Sequence, residues 1–212
     1  ASGVGVFSGS ADARADHWSL GVSAQATATG GASSSTFRQA AAFASFTETL
    51  NYASPTVAPG TAGVTNFSFL VEGLLKNQPN PPYTQQGDVG LAIRFNNGPG
   101  IWQVFAGTVL NDGTPYLRGG STGLPGDFVL SPGAFDGSAL LTSTANFGFV
   151  WGTPFTVQVA MTTSVSPCCF GTSTSSDFYN SAVLKGIDAF AAGRKVDDFL
   201  VEASSGLQLD AT

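Results

Sequence analysis

Three glutamates and one histidine are the side chains best suited to acid–base work: Glu48, Glu72, Glu202 and His17. Glu72 lies in FLVEG and Glu202 in LVEA, both within alternating strand patterns. Two carboxylates on one concave sheet face would have the makings of a glycosidase pair, one protonating the leaving oxygen and the other attacking or activating water. A sugar groove of that kind needs aromatic platforms, and Trp102, Tyr116 and Trp151 are the candidates, although the alternation around both tryptophans favours burial. His17 follows Asp16 and stands before Trp18. A single histidine cannot assemble a multi-histidine metal site, and no Gly-x-Ser-x-Gly elbow accompanies it, so its expected role is structural or at the surface. Cys168 and Cys169 are adjacent in SPCCFG. Neighbouring cysteines lack the spacing of a zinc site and of a Cys-x-x-Cys redox pair. They are candidates for a vicinal disulfide, for two free thiols, or for a bond to another chain.

No cofactor is expected. Asp88, Asp112 and the doublet Asp197-Asp198 fit no twelve-residue calcium loop, which leaves a calcium ion bound between loops as the alternative. Gly30-Gly31 and Gly119-Gly120 open onto strands or polar loops rather than helices, so no phosphate cradle is expected. No catalytic apparatus is recognised.

The elements that position these residues are strands. WSLGVSAQATATG places Trp18, Leu20, Val22, Ala24, Ala26 and Ala28 on one face at period two. The same alternation recurs through Phe67, Phe69 and Val71, through Val89, Leu91, Ile93 and Phe95, and through Phe155, Val157, Val159, Met161, Thr163 and Val165. It closes with Phe199 and Val201. FRQAAAFASFTETL is rich in alanine and tempts towards helix, but Phe46, Thr47 and Thr49 favour a long strand. Asn97-Gly98, Asp112-Gly113 and Asp136-Gly137 read as tight turns, and Pro79, Pro81 and Pro82 as a connection. The expected fold is all-β: an antiparallel β-sandwich, jelly-roll-like, of about ten strands with little or no helix. Residues 31–212 read as one sandwich. Residues 1–30, poor in large side chains, read as a segment that pairs with a neighbouring chain, through Val4, Val6, Trp18, Leu20 and Val22.

Composition narrows the partners. Only 10% of the 212 residues are charged and the net charge is −6, so the clustered Lys and Arg that nucleic acid requires are missing. No apolar run of about 18 residues occurs that could span a bilayer as a helix. The chain opens on ASG without a basic start or apolar leader, which reads as a processed, exported form.

The C-terminal third carries a recognisable grammar: Thr153-Pro154-Phe155, Asp177-Phe178, Asn180, Leu184, Ile187, Asp188, Gly193, Val196, Asp198-Phe199, Val201 and Ser205-Gly206. With AAFASFTETL and FSFLVEG upstream, it resembles exported bacterial proteins of the PEP-CTERM sorting type over most of residues 35–206, without the Pro-Glu-Pro tail. The resemblance implies Sec export from a Gram-negative, biofilm-forming bacterium and a place at the cell surface or in the extracellular matrix. It implies no activity. The function expected is therefore a non-catalytic, secreted structural protein, a self-associating subunit of a filament. A lectin-like module that binds extracellular polysaccharide is the alternative, and a polysaccharide-active enzyme the third reading.

Overall fold

The computed structural model describes residues 6–29, 39–77, 86–96, 101–109, 114–119, 128–143, 145–167, 172–206 and 208–210. Among them there are fifteen strands and no helix. The strands are β1 (Val6–Asp16), β2 (Ser19–Thr29), β3 (Ala40–Ala53), β4 (Ala62–Asn77), β5 (Gln86–Phe95), β6 (Ile101–Val109), β7 (Pro115–Gly119) and β8 (Phe128–Ser131). They continue as β9 (Ala134–Thr142), β10 (Phe147–Val150), β11 (Phe155–Ser166), β12 (Thr172–Ala191), β13 (Arg194–Val196), β14 (Leu200–Ala203) and β15 (Gln208–Asp210).

They form two antiparallel sheets. The first has eight strands, in the order β1-β2-β12-β4-β9-β8, with β10 beside β4 and β13 beside β12. The second has seven, in the order β15-β14-β3-β11-β5-β6-β7. The pairing is nested: β2 with β12, β3 with β11, β4 with β9, and β5 with β6. Each sheet thus interleaves strands from both halves of the chain.

The predicted core positions point between the sheets. Leu20, Val22, Phe67, Phe69, Val71, Leu91, Ile93, Val157, Val159, Met161 and Val201 are all fully buried. Aromatic rings close the gap at its two ends. Tyr52 of β3 packs edge-on against Phe149 of β10 and Phe155 of β11, with Trp151 and Phe199 beside them. Phe105 of β6 stacks on Phe128 of β8, near Phe135 and Phe178. Such offset and edge-to-face pairs add to the burial of the rings themselves.

Several expectations are corrected. Strands outnumber the ten foreseen because short pieces such as β8, β13 and β15 carry too few residues to show a period. Asp136-Gly137 is no turn; it lies inside β9, opposite Leu74 and Gly73. The turn between β8 and β9 is Pro132-Gly133, where proline presets one backbone angle and Gly133 supplies the positive φ of 79°. β2 (Ser19–Thr29) is hydrogen-bonded on one side to β1 and on the other to β12 of the first sheet. Asn97-Gly98 and Asp112-Gly113 lie outside the described residues.

Candidate functional site: the β1 edge

β1 is the outermost strand of the first sheet and its eleven residues pair with β2 from Val6 opposite Thr29 to Asp16 opposite Ser19. Among the described residues no strand pairs with its other side. Its side chains fall into two files. Ser8, Ser10, Asp12, Arg14 and Asp16 share the outer face of the sheet. Gly9, Ala11, Ala13 and Ala15 share the face that β2 turns to the core, because they stand opposite Ala26, Ala24, Val22 and Leu20. All nine are exposed.

Two contacts hold this strand in place. The first is at the β1–β2 turn, His17-Trp18. Trp18 takes a positive φ of 59°, which costs an L-residue about 1–2 kcal/mol. The cost is met by burying the indole against Phe46 and Phe67 and by donation from Leu184 N to Trp18 O at 2.9 Å. His17 Nδ1 then lies 2.7 Å from Oε1 of Glu48, on β3 of the other sheet. The contact is an ion pair when the imidazole is protonated. The carboxylate is 1% exposed, and its Oε2 accepts from Ser204 Oγ at 2.7 Å and Ser205 N at 3.2 Å. Burial pushes the Glu48 carboxyl up, but the hydrogen bonds from Ser204, Ser205 and His17 outweigh it and hold the pKa below the usual glutamate range. The group therefore ties the β1–β2 turn, β3 and the segment after β14 together. Ser204 gives its hydroxyl proton to a carboxylate rather than to an imidazole, which is not the order that activates a serine.

The sign of the resulting pH dependence follows. A depressed carboxyl pKa contributes stability that is fully present above the ordinary glutamate value of 4.5 and is lost as pH falls through the lower folded value. Urea unfolding from about pH 6 to about pH 3 should show this loss, and Glu48→Gln should flatten that limb.

The second contact is near the C-terminal end of the strand. β12 bulges between Phe178 and Ala182, and Tyr179 on that bulge carries the guanidinium of Arg14 over its ring at 5.7 Å from the centroid. The bulge backbone rests on Gly21 of β2, where a side chain would have no room.

The structure separates the other candidate residues. Glu72 and Glu202 are both exposed, but Glu72 stands on the outer face of the first sheet and Glu202 on the outer face of the second. They cannot flank one glycosidic bond, so the single-face pair is overturned. Trp151 is 1% exposed among Tyr52, Phe149 and Phe199, and offers no platform. Trp102 and Tyr116 lie on β6 and β7, but their side chains are outside the described residues, as are Cys168, Cys169, Asp112 and Val4. Trp18, Leu20 and Val22 are buried between the sheets of this chain, whereas Val6, on β1, is exposed.

No family model, curated protein or solved structure matches this chain.

Three of the calcium candidates, Asp88, Asp197 and Asp198, make polar contacts within the chain. Asp198 Oδ1 accepts from Ser54 Oγ at 3.1 Å and Thr56 Oγ1 at 2.8 Å. Asp88 Oδ1 accepts from Thr108 at 2.8 Å, and Asp197 lies 3.8 Å from the Lys195 ammonium. Among the described residues no three His, Cys, Asp or Glu side chains gather as a metal site would need, and no helix is long and apolar enough to cross a membrane. A depression of about 310 Å³ lies on the second sheet, lined by Ala41, Phe43, Asp88, Thr162 and Ser164 among others. Phe43 beside it is 59% exposed. The alternating pattern of β3 gives Phe43 an outward parity, so its exposure is legible in the sequence.

Proposed function

We propose that this chain is a non-catalytic structural protein of the bacterial cell surface or extracellular matrix that self-associates through the edge of β1, which no other described strand pairs with. The observation that carries the reading is the length of that edge. Among the described residues β1 has eleven, whereas β8, β7 and β15, which end the other sheet edges, have four, five and three. A long edge left unpaired is a template for another strand, and proteins that do not use one usually shorten or cover it. The PEP-CTERM-like grammar and the low charge support export and dense packing in a matrix. The nested pairing suits a jelly-roll winding, a fold that supplies no activity of its own.

A filament follows if a second contact forms at the opposite edge of the same sheet. There β8 exposes Val129 and Leu130, at 69% and 46%. Two different two-fold contacts on opposite edges propagate a chain, whereas one alone closes a dimer. Sedimentation velocity of the native protein over a range of concentrations, beside negative-stain electron microscopy, tests the reading. Concentration-dependent dimers or fibres are expected; a species of 21.6 kDa at every concentration would remove it.

A second reading, an extracellular polysaccharide-binding module, draws on the exposed Phe43 ring beside hydroxyl groups. Binding of a neutral polysaccharide that Phe43→Ala weakens about tenfold, as the loss of one stacking ring would, is its expected result; an unresponsive glycan array would exclude it.

A further inference from the structure

The edge of β1 fixes not only a surface but a register. We infer that two copies pair β1 with β1 about a two-fold axis perpendicular to the sheet and passing through Ala13. This rests on the reading of β1 as the self-association edge.

An antiparallel pair of identical strands that continues one sheet must place like faces together, so residues i and j oppose each other only when their numbers sum to an even value. The charged file Asp12, Arg14 and Asp16 then discriminates among the registers. Centring on Ala11 opposes Asp12 with Ser10 and Arg14 with Ser8, which is neutral. Centring on Asp12 brings Asp12 against its own copy. Centring on Arg14 opposes Arg14 with Arg14 and Asp12 with Asp16, repulsive at every charged pair. Centring on Ala13 opposes Asp12 with Arg14 of the second copy and Arg14 with its Asp12, two opposite-charge pairs related by the axis. In that register Ser10 meets Asp16, and Ala11 meets Ala15 on the other face. No bulky side chain obstructs the approach, and seven residues, 10–16, pair on each strand. Directly opposite side chains in such a ladder stand about 4.5–5.5 Å apart at Cβ, close enough for the charges to select the register.

The geometry explains why an edge meant for pairing carries charge at all. Centring on Ala15 also opposes Arg14 with Asp16 but pairs only residues 14–16, because β1 ends at Asp16. Ala13 is therefore the alignment that joins opposite charges over the longer ladder, and the charges disfavour the other registers. Arg14 is already oriented by Tyr179 on the outer face. The contact joins two eight-stranded first sheets edge to edge.

The test uses the full chain with Cys168→Ser and Cys169→Ser, carrying Asp12→Arg, Arg14→Asp, or both, with thermal unfolding as the check on folding. Each single reversal should weaken dimerisation on the order of tenfold, and the double reversal should restore it. In parallel, Ala13→Cys should oxidise to a covalent dimer while Ala11→Cys should not. A dimer that cross-links through residue 11, or ignores the reversals, overturns the register and leaves self-association standing. A monomer at all concentrations overturns both.

Discussion

Gly21→Ala should destabilise the protein by about 4 kcal/mol or more, an effect larger than most single methyl additions produce. A Cβ at residue 21 would stand 1.5 Å from Tyr179 O and 2.4 Å from Tyr179 C. Both are backbone atoms, so no rotamer change can make room. The only escape is to lift the β12 bulge off β2, which would disturb the pairing of Phe178 with Val22 and of Ala182 with Leu20. Those pairs flank the buried core, and total stability for a domain is only about 5–15 kcal/mol. Gly148→Ala is the matched control: a Cβ there meets nothing within 4 Å, and its effect should stay within about 0.5 kcal/mol. Urea denaturation of the two variants separates the cases. Equal, small effects would mean that the bulge does not rest on Gly21.

Tyr52→Ala should cost about 3–5 kcal/mol, lowering the melting temperature by roughly 10 °C for a chain of this size. Its ring is fully buried and lies 4.7 Å from Phe149, 5.0 Å from Phe155 and 5.5 Å from Phe199, centroid to centroid. It joins the two sheets twice, once through those rings and once through its hydroxyl. Thr65 Oγ1 donates to Asp188 O at 2.9 Å, which spends the threonine proton, so Tyr52 O–H is the donor in the 3.1 Å bond to Thr65. Burial pushes the phenol pKa up, partly opposed by Thr65, and keeps it a neutral donor. Tyr52→Phe isolates the hydroxyl and should cost only about 1 kcal/mol, because Thr65 keeps its other partner. A Tyr52→Phe loss as large as that of Tyr52→Ala would place the stabilisation in the hydrogen bond rather than the rings.

How far the sequence discloses this depends on what each residue interacts with. Period-two alternation in β2, β4, β5 and β11 identifies core-facing positions correctly because sheet geometry imposes that period locally. The alanine-rich stretch before Tyr52 resolves as strand β3 for the same reason: Ala40, Ala42, Ala44, Leu50 and Tyr52 are buried in turn. Glu48 occupies that same inward parity, a carboxylate where the pattern demands a core residue. Such an acid needs donors, and His17, Ser204 and Ser205 are distant in sequence, so the site was legible as an anomaly but not as a cluster. Gly21 is less visible still. It reads as an unremarkable outward position, because its role depends on a bulge in a strand more than 150 residues away. Trp151 is the opposite case: the alternation around it favours burial over a platform, and the rings of Tyr52, Phe149 and Phe199 enclose it. The N-terminal segment is divided in the same way. β1 has the exposed, small-residue character of a pairing strand, while β2, equally rich in alanine, is an interior strand of its own sheet.

Amide hydrogen exchange of the wild-type protein, followed as its concentration is raised, tests self-association through β1 most directly. The account predicts that amides within residues 10–16 whose N–H groups point away from β2 gain protection with concentration, while exposed amides at the β8–β9 turn lag behind. Oligomers that form without any added protection in β1 would contradict it.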